Sequence, residues 1–313
     1  MLTSIFKTLT YFDLASYPLT REELFVYLWQ PPRMRYEDFL LSLRGIVAPA
    51  AIPLPLFTEK FGYYFLSGRE EVVENRRKKM LISEIKMKAA RRAAKKLRAI
   101  PFLRAVFVCN SVGAGQATDD SDIDFFIVTA PGRTWIVRFF TNLILRLWGL
   151  RTYGNKIKNR ICLSFFVDTD HLNLFYLRIA EDDVHFIYWL HQMVPIYDPD
   201  SLYDKFLYAN SWTENFLPNI KKFSQGGYIR ELADSRMGKI WKKSWEKMWQ
   251  GAYGNLLESQ AKQLQMTKMK FSVKEKAKQK DNGVVLGDGV IKLHENDRRS
   301  EYRCDWLESS RKN

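Results

Sequence analysis

Apolar and polar residues alternate along the chain with two different periods. Between residues 106 and 128, two apolar runs of strand length flank a short polar segment rich in serine and glycine, and a third apolar run covers 161–168. The stretches 76–98, 135–150 and 184–193 instead have helical composition or spacing. This order predicts an α/β (α+β) fold, with a mixed sheet and flanking helices.

The first 75 residues are predicted to form a separate small unit. Thr20 followed three residues later by Glu23 is typical of a capping box at the start of a helix. Another helix is expected around 36–43, and residues 56–66 indicate two short strands joined by a turn. Together with an amino-terminal helix, this is the element order of a winged helix.

The positive charge of the chain is unevenly distributed. The net charge is +14, and residues 76–98 alone contain eleven Lys or Arg and one acid, Glu84. Such a helix attracts the phosphates of RNA or of a nucleoside triphosphate, and the alternative is an ordinary solvated face. The helix that would read DNA in the amino-terminal unit begins instead with Glu37 and Asp38, which repel phosphate, so DNA binding is not expected.

Two carboxylates open the second apolar strand. Asp122 and Asp124 are two residues apart, and because successive side chains on a strand point to opposite faces, both point the same way. Paired carboxylates bind hard divalent cations. An EF-hand loop starting at Asp120 is excluded, since its sixth and twelfth positions are Phe125 and Pro131 rather than Gly and Glu.

The turn before the acid pair offers donors to an anion. Ser111 supplies a hydroxyl, and the backbone N–H groups around Gly113 and Gly115 can approach a ligand closely. Donors on one side and carboxylates on the other predict a site for a nucleoside triphosphate and its metal ions.

An apolar strand, a serine-bearing turn and Asp-x-Asp at this spacing resemble the signature of the DNA-polymerase-beta-like nucleotidyltransferase superfamily. Ser111, Asp122 and Asp124 occupy the matching positions, whereas Asn110 stands where the family has glycine. Asn tolerates left-handed backbone, so the turn is expected to persist. The whole layout also resembles bacterial proteins that carry a nucleotidyltransferase domain behind a winged-helix-like unit.

The resemblance implies a metal-dependent enzyme that transfers a nucleoside monophosphate from an NTP to a hydroxyl acceptor. It places two Mg²⁺ ions at Asp122 and Asp124, and the phosphates at the turn. The turn residues concerned are Asn110, Ser111, Gly113 and Gly115. The acceptor is not indicated by the signature, and RNA held by the basic helix is one possibility.

The superfamily carries a third carboxylate on a later strand. Within 161–168, strict alternation puts Cys162, Ser164, Phe166 and Asp168 on one face, so Asp168 is the candidate and Asp170 the second choice. If neither reaches the metals, a catalytically inactive nucleotide- or RNA-binding module is the alternative. A winged-helix DNA-binding regulator with a vestigial domain is the other.

The remaining boundaries follow composition. The nucleotidyltransferase domain is expected over 76–198, a helical region over 199–262, and a polar linker with a charged tail over 263–313. In the helical region, tryptophans recur every four residues, at Trp241, Trp245 and Trp249. This stripe is expected to dock on the catalytic domain, and a membrane-surface helix is the alternative.

Neither a signal peptide nor a transmembrane segment is expected. Lys7 and Asp13 interrupt the amino-terminal apolar run, and Arg138 and Arg146 interrupt the most hydrophobic helix. The three cysteines are scattered without metal spacing, which favours a reducing, cytoplasmic location.

Overall fold

The computed structural model describes residues 1–47, 56–222, 232–279 and 282–311. Its strands are β1 (Leu19–Thr20), β2 (Phe57–Lys60), β3 (Tyr63–Leu66), β4 (Leu103–Cys109), β5 (Ile123–Thr129), β6 (Ile161–Asp168), β7 (Val194–Tyr197), β8 (Val284–Leu286) and β9 (Val290–Leu293). Its α-helices are α1 (Leu2–Asp13), α2 (Arg21–Val26), α3 (Tyr36–Val47), α4 (Val72–Leu97), α5 (Asn110–Gly113), α6 (Thr134–Leu147), α7 (Val184–His191), α8 (Leu202–Ala209), α9 (Arg236–Met248), α10 (Gly251–Lys268), α11 (Phe271–Lys278) and α12 (Arg299–Arg311).

A six-stranded mixed sheet forms the centre, in the order β7-β4-β5-β6-β9-β8. Strands β5 and β6 are parallel, and the other neighbours are antiparallel. One face packs against α4 and α6, and the other against α7 and α8. All seven residues of β5 are buried, which is why this strand is an apolar run interrupted only by Asp124 and the terminal Thr129. The predicted mixed sheet with flanking helices is confirmed.

The strict alternation predicted along β6 is wrong. The register between β5 and β6 shifts, so that Asp124–Phe126 faces Cys162–Phe165 and β6 holds one extra residue. As a result, Leu163 and Phe166 pack in the same core, although strict alternation would put them on opposite faces. The face that Cys162 was expected to share with Asp168 is lost at this bulge.

The amino-terminal unit contains α1, α2, α3 and the antiparallel sheet β1-β3-β2. The predicted capping box is confirmed: the Thr20 hydroxyl accepts from Glu23 N at 3.3 Å, and a Glu23 carboxylate oxygen accepts from Thr20 N at 2.8 Å. These two bonds satisfy donors that would otherwise lack partners at the start of α2.

The core of this unit continues into the rest of the chain. Tyr11 stacks on Tyr188 of α7 with ring centroids 4.3 Å apart, and Trp306 of α12 donates to the carbonyl of Lys7 at 2.9 Å. The unit is therefore not separate in the sense expected from the sequence, because its apolar surface is buried against α7 and α12.

The segment predicted as a polar linker and charged tail contributes to the fold. Strand β9 pairs with β6, and β8 completes the sheet. Beside this hairpin, Arg299 donates to Asp183 at 2.9 Å and to Asp297 at 2.7 Å, while Lys292 donates to Asp297 at 3.0 Å. This network ties the carboxyl-terminal hairpin and α12 to the start of α7.

The basic helix α4 is only partly a solvated face. Arg76 is buried, donates to both carboxylate oxygens of Glu23 at 2.6 and 2.8 Å, and lies between the rings of Tyr17 and Tyr63. Its charge holds the amino-terminal unit and is not available to a polyanion. Arg92 and Lys95 farther along the helix are exposed.

Helix α9 docks on the central domain as predicted, but only one tryptophan of its stripe makes a close stacked contact. Trp249 stacks on Phe140 with centroids 5.6 Å apart, whereas Trp241 is 52% exposed. The helix is instead fixed by Lys242, which donates to the Tyr197 hydroxyl at 2.8 Å, and by an ion pair of Glu246 with the central sheet.

Among the residues that the structure describes, none of the helices combines the length and the apolar character needed to cross a bilayer.

Candidate metal and nucleotide site

The two predicted carboxylates converge. Asp122 immediately precedes β5, and Asp124 is its second residue. One oxygen of each carboxylate and the sulfur of Cys162 lie within 4.8 Å of one another. Cys162 is the register partner of Asp124 on the parallel neighbour β6. The geometric part of the prediction, that both acids aim at one place, is confirmed.

Burial makes this pair electrostatically costly. Asp124 is 8% exposed, and burial followed by repulsion from Asp122 raises the pKa of Asp124 to about 7. Burial also raises the pKa of Asp122, against the opposing charges of Arg151 and Lys86. A buried acid and a half-buried acid that repel each other are stabilised by a cation bound between them.

Lys86 of α4 fixes the loop that leads into the acid pair. Its ammonium donates to the carbonyls of Asp119 and Ser121 at 3.0 and 2.8 Å, and to the side chain of Asn159 at 2.7 Å. Sequence analysis missed this residue. The available signal was its position on the apolar side of a basic helix, three residues after Ser83. A lysine on that side is buried, and a buried ammonium requires hydrogen-bond acceptors nearby.

Asn110 adopts the backbone conformation that the predicted turn requires. Its φ is +54°, in the left-handed region, as the sequence predicted. Its side-chain carbonyl accepts from the Trp189 indole at 2.7 Å, and its side chain also hydrogen-bonds Asp124, which lowers the pKa of that acid. Asn110 therefore connects the turn to the carboxylates.

A cavity of about 320 Å³ opens beside this turn. Ser111 and Asn110 line it, together with Trp189, His294 and Lys292. Within the described part of the chain, no partner bonds the Ser111 hydroxyl. This hydroxyl is available to a ligand in the cavity, as the sequence predicted for a phosphate donor.

The two glycines of the turn do not line this cavity, contrary to the predicted phosphate contacts. A Cβ on Gly113 would lie 2.6 Å from the carbonyl oxygen of Val108, so glycine is needed there for α5 to pack on β4. Gly115 has φ +71°, and a Cβ there would lie 3.0 Å from the Tyr17 hydroxyl. Both residues shape the turn that presents Ser111.

The prediction that Asp168 or Asp170 supplies the third carboxylate is wrong. Because β5 and β6 are parallel, the start of β5 lies beside the start of β6, and the end of β6 lies at the far end of both strands. Asp168 therefore pairs with Thr129 and not with Asp124. Six residues of strand separate it from Cys162, or about 20 Å. Asp168 accepts from the N–H of Asp170 at 3.0 Å and contacts His171 Nδ1 at 2.6 Å, forming a local turn.

Cys162 stands where the third acid was expected. The two carboxylates suit Mg²⁺, which prefers oxygen ligands. The thiol does not, since sulfur favours softer metals and burial raises the pKa of Cys162 well above its usual value. Among the described residues, the site therefore offers Mg²⁺ two acidic ligands, and Cys162 could have been found only by knowing the register of β6.

The chain matches no family model, and neither a curated protein nor a solved structure matches it.

The stability of the metal-free protein is expected to depend on Asp124 and on pH. The pKa of Asp124 is about 7 in the folded protein, against an ordinary value of 3.8. Because the acid therefore ionises in the unfolded chain before it ionises in the folded protein, the free energy of unfolding falls as pH rises between these two values. Asp124→Asn should therefore raise the free energy of unfolding at pH 8 by on the order of 2 kcal/mol, and by much less at pH 4.

Chemical denaturation in the presence of a chelator measures this effect. Asp120→Asn is the matched control, because Asp120 is 93% exposed and pairs only at the surface with Lys158 among the described residues, so stability should change by less than about 1 kcal/mol. An Asp124→Asn gain that is equal at both pH values would contradict the assigned burial cost. Saturating Mg²⁺ should stabilise the wild type and so reduce the difference in free energy of unfolding between the wild type and Asp124→Asn.

Proposed function

We propose that the protein is a metal-dependent nucleotidyltransferase that transfers a nucleoside monophosphate from an NTP to a hydroxyl acceptor. The observation that carries this proposal is the convergence of Asp122 and Asp124 beside a cavity lined by Ser111. Asn110 joins the two features, since it lines the cavity and bonds Asp124. The volume of the cavity is at the lower end of the range of small-molecule sites.

The residues divide into two roles. Asp122 and Asp124 would hold divalent cations, which when bound lower the pKa of an attacking hydroxyl and neutralise charge on the departing pyrophosphate. Ser111 would donate to a phosphate oxygen, and the Trp189–Asn110 bond holds the turn rigidly at the carboxylates. Positioning and electrostatics carry most of the rate in phosphoryl-type transfer, so a rigid site suits it.

The amino-terminal unit fits a winged helix used for packing rather than for DNA. Its elements follow the order α1-β1-α2-α3-β2-β3. Helix α3 begins with Glu37 and Asp38, which disfavour a phosphate backbone at that end. Its core joins α7 and α12, which supports a scaffolding role for the cavity that Tyr11 and Tyr302 also line.

A second candidate is a nucleotide-binding module without transfer activity. Cys162 in place of a third carboxylate favours it, because two acids alone hold two cations weakly. Transfer from each α-radiolabelled NTP, with Mg²⁺ or Mn²⁺ and with RNA, protein or the chain itself as acceptor, separates the two. Label in any acceptor supports the enzyme; NTP binding by calorimetry without label in any of them supports the module and overturns the transferase.

Cys162→Asp is expected to strengthen divalent binding. The variant adds a third oxygen ligand and a negative charge at the position facing Asp124, so the dissociation constant for Mg²⁺ should fall by about tenfold or more. Isothermal titration calorimetry measures it. Cys162→Ser, which adds an oxygen without charge, is the control and should change the constant little. Unchanged Mg²⁺ affinity in Cys162→Asp would show that this side chain does not face the metals.

A further inference from the structure

A second and larger cavity lies near the acid pair. Its volume is about 970 Å³, and Cys162 and Ser164 of β6 form part of its wall. Helix α6, the segment 151–154 and the junction of α10 with α11 form the rest. Cys162 belongs both to this wall and to the acidic cluster, so it connects the cavity to Asp122 and Asp124.

The wall of this cavity carries an excess of positive charge. Five cations face a single acid, Glu295; the cations are Arg138, Arg146, Arg151, Lys268 and Lys270. Within the described ranges, no ion pair involves any of the five. Five cations around one acid attract a polyanion.

The arginines have donors to spare or donate to neutral groups. Arg138 Nε is buried without a partner among the described residues, although its Nη1 donates to Gln265 at 2.6 Å. Arg151 donates to the side chain of Asn142 at 2.9 Å and to the carbonyl of Ile161 at 3.0 Å. These acceptors are neutral, so both guanidinium groups keep their positive charge, and that of Arg151 also acts on the nearby carboxylate of Asp122.

Exposed aromatic rings accompany the charge. Tyr153 in the wall is 75% exposed, and Trp148, just beyond Arg146, is 62% exposed. The Lys96 ammonium of α4 lies 3.1 Å from the centroid of the Trp148 ring, so the basic helix contacts the chain just after α6. Rings beside cations are the usual means of holding unstacked bases and their backbone.

We propose that this cavity binds the 3′ end of a single-stranded RNA, which is the acceptor of the transfer reaction. The inference rests on the proposed function. The arginines and lysines would hold backbone phosphates, and Tyr153 would stack on a base. The half-buried Thr152 hydroxyl can donate to a ribose 2′-hydroxyl, which DNA lacks.

The reaction follows from this placement. The terminal 3′-oxygen attacks the α-phosphorus of the NTP, one P–O bond forms, and the bond to the pyrophosphate breaks. The hydroxyl proton leaves to solvent through the open side of the cavity, and pyrophosphate departs with the bond electrons. The RNA is extended by one nucleotide.

Fluorescence anisotropy with a labelled short single-stranded oligoribonucleotide tests the site without requiring catalysis. The double variant Arg146→Ala/Lys268→Ala removes two exposed cations of the wall, and Lys205→Ala/Lys243→Ala removes two exposed cations elsewhere. The cavity variant should bind RNA about tenfold more weakly. The negative slope of log affinity against log salt should become shallower by about 1.4, because two phosphate contacts are lost. The control should change neither value appreciably.

Three results would overturn the inference. The first is an equal loss of RNA affinity in the cavity and control variants, and the second is equal affinity for DNA of the same sequence. The third is competition by free phosphate or a mononucleotide that is as strong as competition by the oligomer, which would indicate a small phosphorylated acceptor. Failure of the proposed function is a different result: RNA binding remains sensitive to the cavity variant, but no NTP is transferred. Conversely, transfer to another acceptor at a rate that the cavity variant does not change would support the proposed function but contradict the proposed RNA site.

Discussion

Asp124→Asn is expected to reduce nucleotidyl transfer by about a thousandfold or more, because it removes one of two metal-holding carboxylates while preserving the shape of the side chain. Asp122→Asn should have a similar effect, since the oxygens of both acids converge within 4.8 Å. Incorporation of α-radiolabelled nucleotide, measured in single turnover with the acceptor that the wild type labels, checks both variants.

Loss of fold does not explain such a result. Asp124→Asn is expected to stabilise the metal-free protein, because burial raises the pKa of Asp124 to about 7 and the variant cannot ionise. Asp120→Asn, in the same loop but 93% exposed, should retain wild-type transfer. Transfer that survives in Asp124→Asn at the wild-type rate would end the assignment of the acid pair as the catalytic centre.

Arg299→Met is expected to lower the free energy of unfolding by about 3–5 kcal/mol. The variant leaves the carboxylate of Asp183, which is fully buried, without its ion-pair partner. It also removes the bonds from Arg299 to Asp297 and to the carbonyl of Leu177, which join α12 to the region before α7. Burial already raises the pKa of Asp183 despite the charge of Arg299, so loss of that charge leaves a costly group.

Urea denaturation followed by circular dichroism measures this cost. Arg298→Met is the matched control, because Arg298 is adjacent in sequence and its ion pair with Glu301 is exposed, so the variant should change stability by less than about 1 kcal/mol. Arg299→Lys keeps the charge with fewer donors, so its free energy of unfolding should lie between those of Arg298→Met and Arg299→Met. This variant tests the same prediction if Arg299→Met does not fold. Equal stability of the Arg298 and Arg299 variants would contradict the structural role of the network.

Local physics explains what the sequence predicted about the candidate site. The i, i+2 spacing of Asp122 and Asp124 on a strand determines that both side chains point one way, wherever the strand lies. The tolerance of asparagine for positive φ likewise determines that Asn110 can replace glycine, and its φ is +54°. The capping box at Thr20 is local for the same reason, since its two hydrogen bonds span three residues.

Errors arose where pairing between distant segments decides the outcome. Strict alternation along β6 predicts Asp168, but the bulge and the parallel direction of β5 and β6 bring Cys162 to the acid pair instead. The strands β8 and β9 are only three and four residues long and carry no strong pattern of their own. They exist because β6 offers an open edge for pairing.

The sequence by itself therefore determined the apolar strands, the turn at Ser111 and the paired acids, because periodicity and backbone preference act over a few residues. Only the tertiary structure decided which third side chain meets Asp122 and Asp124, which cations of α4 are buried, and that five cations from α6, Arg151 and the α10–α11 junction line one cavity. Those outcomes depend on strand register and helix packing between segments far apart in the chain, and such contacts leave no periodic trace in the residues that make them.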